Sequence, residues 1–316
     1  MEKKRQAKAA SKKEMTVKGV PKSVDPEELE FYDGALAIVK DAAKRADVLK
    51  SVPSTIKIVE LGRKSELVSI KGPLIDESEQ PFEDYVSARG ISTYPMQVSL
   101  GVRLGDPVCD QYNVTVYENR TFFAVADGCN WGPEPREAAK KASRTFMDFL
   151  KRNQRDFVHL NQVSHYLLRA FQIAQETIIE GRSREEIWQA GTTAMLGGAI
   201  FEVDQKDSSS SSTPQWMFLA ISLGDCKAFL WDSQSKKVSD ITDGNRGNVT
   251  DARDPGGRLG PYVGDGDPDL RNLEIFCTPI KKDDIVMVLT DGVYDNFGKK
   301  IKKIFFGLDR SWIDMF

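Results

Sequence analysis

The sequence is poor in the residues that build zinc and disulfide sites: two histidines and four cysteines in 316 residues. Cys109, Cys129, Cys226 and Cys277 lie far apart, and no two form a CxxC pair. That spacing argues against a zinc centre and for free thiols in a reducing compartment, cytoplasmic or nuclear. No apolar run approaches the ~20 residues that a membrane span needs. The opening "MEKKRQAKAASKKEM" is basic but is followed by no apolar stretch of the kind a secretion signal carries. Neither sign of charge dominates: 44 Lys and Arg stand against 47 Asp and Glu, a net charge of −3. Such a balance gives no global pull toward nucleic acid. No G-x-G-x-x-G and no P-loop lysine marks a strand–helix junction, so a βαβ nucleotide fold has no support.

What is present falls into four stretches. Residues 1–24 are basic and short of large apolar side chains, which predicts a disordered tail; its Lys/Arg cluster reads as a solvated run, or as a nuclear-localisation or phosphate-binding segment. Residues 25–94 form a helical and mixed extension, with a helix expected over 25–50, capped by Asp25 and entered through Pro26. From 95 to 297 the pattern sharpens into strands, two helices and strands again. Strand-like runs are "QVSLGV", "YNVTVYE", "RTFFAVAD", "TTAMLGGAIFEV", "QWMFLAISLG", "KAFLWD", "KVSDIT" and "DIVMVLTDG". Between the fourth and fifth runs, the serines of "DQKDSSSSSTP" read as a flexible connection or a phosphorylation target. Between the last two, residues 243–269 are rich in Gly, Asp and Pro and read as loop. In the helical runs, Ala138, Ala142, Phe146, Phe149 and Leu150 share one face. Val163, Leu167, Ala170, Phe171, Ala174 and Ile178 share another. Residues 298–316 mix Lys299, Lys300, Lys302 and Lys303 with Ile301, Ile304, Phe305 and Phe306. They read as an amphipathic helix, either patching the core or touching a membrane. Strands in runs around paired helices predict an α+β fold with layered sheets.

The chemistry is carried by acids at strand ends. "FFAVADG" ends on Asp127-Gly128, "FLAISLGD" on Gly224-Asp225, and "DIVMVLTDGVYD" on Asp291-Gly292 with Asp295 four residues on. Asp110 precedes a further strand. Any one Asp-Gly is an ordinary turn. Several carboxylates brought to one edge would raise one another's pKa unless a cation offsets the charge. An all-oxygen set suits Mg²⁺ or Mn²⁺, and a glycine after the aspartate lets a carbonyl approach an ion. "DGDPD" at 265–269 fails as an EF-hand, because its positions six and twelve hold Leu270 and Phe276.

Taken in order, "GVRLGDPVCDQYNV", "RTFFAVADGCNWG", "AGTTAMLGGAIFE", "LAISLGDCKAFLW", "GGRLGPYVGDGDPD" and "IVMVLTDGVYDNF" resemble the motifs of the metal-dependent protein serine/threonine phosphatases of type 2C, the PPM family. The resemblance implies a β-sandwich of two antiparallel sheets flanked by helix pairs, with a metal cluster at one end. It implies two Mg²⁺ or Mn²⁺ ions bridged by Asp127, one of them bound by the Gly128 carbonyl and the other by Asp291. Asp225 and Asp295 match positions tied to a more weakly held third ion, and Asp110 to an outer-shell contact. Arg103 lies where the family grips the substrate phosphate, a task that suits the rigid guanidinium fork. The implied activity is hydrolysis of phosphoserine and phosphothreonine in a phosphoprotein by a monomeric enzyme.

The run Asp127-Gly128-Cys129-Asn130-Trp131 departs from the family's Asp-Gly-His-Gly-Gly. No closing Asp-Asn with strand context follows residue 297. The expectation is therefore a domain incomplete at its C-terminus. The alternative function is that of a pseudophosphatase, binding phosphoproteins without turnover.

Overall fold

The computed structural model describes residues 38–39, 41–62, 66–73, 82–83, 86–92, 94–204, 215–245 and 255–297. The expectations for the basic tail, the serine run and the segment from 298 onward lie outside these residues. The first helix among the described residues, α1, spans Ala42–Leu49 and is capped by Asp41, whose carboxylate accepts from the Lys44 amide at 2.7 Å. Of the helix expected over 25–50, the described residues show the turns of α1, and Asp25 and Pro26 lie outside them.

Strand β1 (Val68–Gly72) is followed by two small hairpins, β2 (Phe82–Glu83) with β3 (Val86–Ser87) and β4 (Met96–Gln97) with β5 (Val102–Arg103). The second hairpin replaces the single strand expected at "QVSLGV". Gly101, at φ 68°, turns the chain back, leaving Val98 at 88 % and Leu100 at 70 % exposure. The core strands β6 (Gln111–Val116) and β7 (Arg120–Gly128) follow. Then come α2 (Pro133–Asn153) and α3 (Leu160–Ile179). After them run β8 (Thr193–Glu202), β9 (Trp216–Leu223), β10 (Lys227–Asp232) and β11 (Lys237–Asp240). Within the expected loop 243–269 the chain forms β12 (Arg258–Val263) and β13 (Asp267–Asp269), which the turn-forming composition concealed. β14 (Glu274–Ile280) had no counterpart among the expected strands. β15 (Ile285–Leu289) leads into α4 (Asp291–Phe297).

All pairings are antiparallel. The larger sheet runs β1-β6-β7-β8, then continues through β9 to β14 along most of β8 and through β12 to β13 at its start; the smaller runs β11-β10-β15. Strand alternation sorts the side chains. Phe122, Ala124 and Ala126 of β7 join Met195, Phe201, Leu219 and Ile221 under the helix pair α2–α3, whose buried stripes are the two faces read from the sequence. Phe123, Leu196, Phe218 and Ala220 point the other way and meet Ala228, Leu230, Val286 and Val288 of the smaller sheet. The expected α+β layering of antiparallel sheets is borne out, with one helix pair covering the larger sheet among the described residues. That sheet takes its edge strand, β1, from residues before 95.

The helix pair carries a pH-sensitive group. Burial pushes the His165 imidazole of α3 down to about 4 from 6.5. The unfolded chain therefore binds a proton that the folded chain refuses between these two values. Stability is lost as pH falls from 6.5 toward 4, by at most about 3 kcal/mol and less where water reaches the ring. His165→Gln is expected to flatten that part of the stability–pH curve. An unchanged acid limb in urea titrations would remove His165 as its cause.

Candidate metal centre

Backbone register places the acids. In the larger sheet Gln111 pairs with Ala126, so Asp110 and Asp127 lie beside each other at the next step. In the smaller sheet Lys227 pairs with Leu289, so continuing outward from that pair brings Asp225 toward Asp291. The two sheets face each other through their apolar sides, which stacks one acidic pair against the other. Thr290 crosses between them, its Oγ1 donating to Asp110 Oδ2 at 2.8 Å.

The side chains confirm the convergence. Asp127 is hydrogen-bonded to Asp110 and to Asp291. Burial foremost, then the charges of Asp110 and Asp291, the hydrogen bond to Asp291 and the charge of Asp225 push the Asp127 carboxyl well above its ordinary range. Burial likewise pushes Asp110 up to about 6, with the Asp291 charge adding to it and the Thr290 and Asp127 hydrogen bonds opposing. The buried Cys226 thiol is raised by its own burial and then by Asp127, Asp225, Asp110 and Asp291 together. Four acids separated by up to 181 positions in the chain thus act on one sulfur.

Two glycines allow this geometry. Gly224, at φ 103°, turns the chain from β9 in one sheet to β10 in the other. Asn272 fixes that corner, its Oδ1 accepting from the Gly224 amide at 3.1 Å and its Nδ2 donating to the Gly224 carbonyl at 2.9 Å. Gly128 lies where a Cβ would meet the Pro135 carbonyl oxygen at 2.7 Å and Cys109 Cβ at 2.8 Å. A backbone oxygen cannot rotate away, so Gly128→Ala must shift the end of β7. We expect a loss of about 1–3 kcal/mol and a weaker manganese response, both read from thermal melts with and without the ion. A melt like that of the parent protein would show that the contact relaxes freely.

The remaining candidates stand apart. Asp295 is exposed on α4, one turn beyond Asp291. Arg103 sits on the exposed β4–β5 hairpin, where its Nη1 donates to the Tyr94 carbonyl at 3.2 Å. Reading the sequence missed Thr290, Thr193 and Arg258. Thr193 Oγ1 donates to the Asp127 carbonyl at 2.7 Å and so anchors the end of β7. A hydroxyl at a strand end gives no signal in sequence until the neighbouring strand is known.

The donor set fits hard divalent cations: four carboxylates, with the neighbouring thiols of Cys109, Cys129 and Cys226 all raised by burial. Among the described residues no three His, Cys, Asp or Glu side chains are grouped so as to hold a metal ion. The acids bond to one another instead, which is how carboxyls pack when a proton separates them.

No protein-family model matches the chain. A curated relative from Drosophila melanogaster, the PP2C-like domain-containing protein CG9801, is 26 % identical over 225 residues. That match covers 70 % of this chain and 30 % of the relative, so the chain spans about a third of that protein's length. The type 2C resemblance read from the motifs is borne out by it. Solved structures that the chain resembles include the serine/threonine phosphatase PstP/Ppp of Mycobacterium tuberculosis. Its identity is 13 % and its TM-score 0.39, covering 60 % of this chain and 75 % of that one. Another is the PPM Ser-Thr phosphatase MsPP of Mycobacterium smegmatis, 14 % identical with a TM-score of 0.38, covering 73 % and 80 %. Likeness at this level assigns no residue a role. No helix among the described residues is long and apolar enough to cross a membrane.

Proposed function

We propose that this PP2C-like chain is built to hydrolyse phosphoserine and phosphothreonine esters in proteins, using Mg²⁺ or Mn²⁺ at the acidic centre. The observation that supports the reading is the meeting of Asp110, Asp127, Asp225 and Asp291 from two facing sheets. Asp127 and Asp291 would hold the principal ions, with the Gly128 carbonyl beside them and Asp110, Asp225 and Asp295 completing the shell. Bound dications would supply Lewis acidity toward a phosphoryl oxygen and acidify the attacking water.

The chain's own groups do the positioning. The core strands β7 and β15 fix the two principal carboxylates so that little reorganisation remains at the moment of reaction. Thr193 and Thr290 hold the Asp127 backbone and the Asp110 carboxyl in register. Cys129, where the family has histidine, is a weak proton donor for the leaving group because burial raises its pKa. General acid help is worth ~10²–10⁴ in rate, so turnover is expected to be slow.

A second reading, binding of phosphoproteins without turnover, is favoured by one feature. Asp127 is engaged by Asp291, and among the described residues no three His, Cys, Asp or Glu side chains are grouped to hold an ion. Hydrolysis of p-nitrophenyl phosphate and of a phosphothreonine peptide, with and without Mn²⁺, separates the two. Manganese-dependent release above background supports the enzyme. Background release alongside intact peptide binding supports the binding module.

A further inference from the structure

A cavity of about 340 Å³ opens at Cys129 and Thr192, next in sequence to the end of β7 and the start of β8. Cys129 and Thr192 form the side nearest the aspartates, since Cys129 follows Asp127 by two residues and Thr192 precedes Thr193. The rest of the lining includes Trp131, Trp188, Tyr262 and Arg258. Trp131 is 61 % and Trp188 52 % exposed, a large apolar area for a surface to leave open. Trp131 is not loose: Tyr94 meets its ring edge-on at 5.4 Å and its Nε1 donates to the Tyr94 hydroxyl at 3.3 Å.

Arg258 opens β12 and lies with its Cζ 4.3 Å from the centre of the Tyr262 ring. Its Nε is buried and meets no hydrogen-bond acceptor among the described residues. Its register partner on β13, Asp269, is engaged instead by Arg271 at 3.0 Å. Among the described residues no carboxylate forms an ion pair with Arg258. Glu134, in the first turn of α2, is the one acid in the cavity wall. The Cys129 thiol feels both the Arg258 charge and the Asp225 charge.

A guanidinium laid on an aromatic face, short of acceptors and next to a cavity with indole walls, is equipped for a planar or tetrahedral oxyanion on an extended ligand. We propose that this cavity is the phosphopeptide subsite, with Arg258 gripping the phosphate monoester and Trp131, Trp188 and Tyr262 packing the flanking peptide. The assignment deepens the proposed function. It gives the phosphate-gripping role to Arg258, a residue of β12, rather than to Arg103 on the exposed hairpin. Arg258 is a positioning residue: it orients the ester toward the aspartates and takes no proton.

The test is calorimetry of the full chain with a phosphothreonine peptide, its unphosphorylated form and inorganic phosphate, alongside manganese-induced thermal shifts. Arg258→Gln is expected to weaken the phosphopeptide and inorganic phosphate by about ten-fold or more, leaving the manganese shift in place. Arg258→Lys keeps the charge without the fork and is expected to fall between. Trp188→Ala is expected to weaken the peptide but not inorganic phosphate. Arg152→Gln, at the far end of α2, serves as the control with parent affinity.

Equal binding by Arg258→Gln and the parent, or equal binding of the unphosphorylated peptide, would overturn the assignment. So would joint loss of manganese and phosphopeptide binding in Arg258→Gln, which would make its role structural. If the parent shows no manganese response but keeps Arg258-dependent phosphopeptide binding, the hydrolase reading fails and the subsite stands. Manganese-dependent hydrolysis untouched by Arg258→Gln gives the reverse.

Discussion

Asp127→Asn is expected to make the metal-free protein more stable at pH 7 while abolishing its response to manganese and its hydrolysis. The parent protein keeps the Asp127 carboxyl buried against the charges of Asp110 and Asp291, which push it up, as burial and the Asp291 charge push up Asp110. Because the folded pKa values are raised, the sign runs opposite to that of a salt-bridged carboxylate. The stabilising contribution is fully present below the unfolded value of 3.8 and is lost as pH rises through the folded value, about 6 for Asp110. A gap of that size corresponds to about 3 kcal/mol withheld at neutral pH. An amide at 127 removes one of the charges, so a gain of about 1–3 kcal/mol is expected without metal. A dication does the same for the parent. At a hundred times its dissociation constant it adds about 2.7 kcal/mol, and the variant receives none of this. Thermal melts of both proteins, with and without Mn²⁺, give the four values needed. A variant less stable than the parent without metal would mean that the acids do not repel one another.

Arg120→Ala is expected to produce the largest loss of stability, about 3–5 kcal/mol. Arg120 is 1 % exposed and lies inside the core, and among the described residues no acid forms an ion pair with it. Its Nη1 donates to the Gln154 carbonyl and its Nη2 to the Val59 carbonyl, both at 2.8 Å, and its Nε to Asn119 Oδ1 at 3.2 Å. One fork therefore joins the end of the helix α2 region, the segment before β1 and the β6–β7 turn. Burial lowers the guanidinium to about 10, a cost already met by these carbonyls at neutral pH. Removing the side chain leaves acceptors without donors and an emptied volume. Arg120→Met is expected to restore the volume and to recover only part of the loss. A urea midpoint for Arg120→Ala close to that of the parent would show that water replaces the fork.

The sequence displays the fold where periodicity is clean and conceals it where composition misleads. The alternating run of β7 and the stripes of α2 and α3 are visible because each element buries one side of itself, and the structure puts those residues in the core. Strands β12 and β13 are hidden because Gly256, Gly257, Gly260, Gly264 and Gly266 sit among them, and glycine reads as turn wherever it occurs. In this chain Gly260, at φ 95°, lies inside β12 and faces the Gly191 carbonyl too closely for a side chain. The β4–β5 hairpin reads as one strand because Val98, Leu100 and Val102 alternate, yet those side chains are exposed.

The acids at strand ends were legible one by one. Their meeting was not, because it depends on register in two sheets and on the stacking of those sheets. Arg258 had no local signal at all. Its role emerges only once Tyr262, one strand-turn further on, is seen beneath the guanidinium and Asp269 is seen to be taken by Arg271.

The most direct test is anomalous diffraction from crystals of this chain soaked in Mn²⁺. The account predicts manganese density enclosed by Asp127 and Asp291, with Asp110 or Asp225 at its edge. Density elsewhere, or none in crystals whose Asp127 and Asp291 remain hydrogen-bonded to each other, would contradict it.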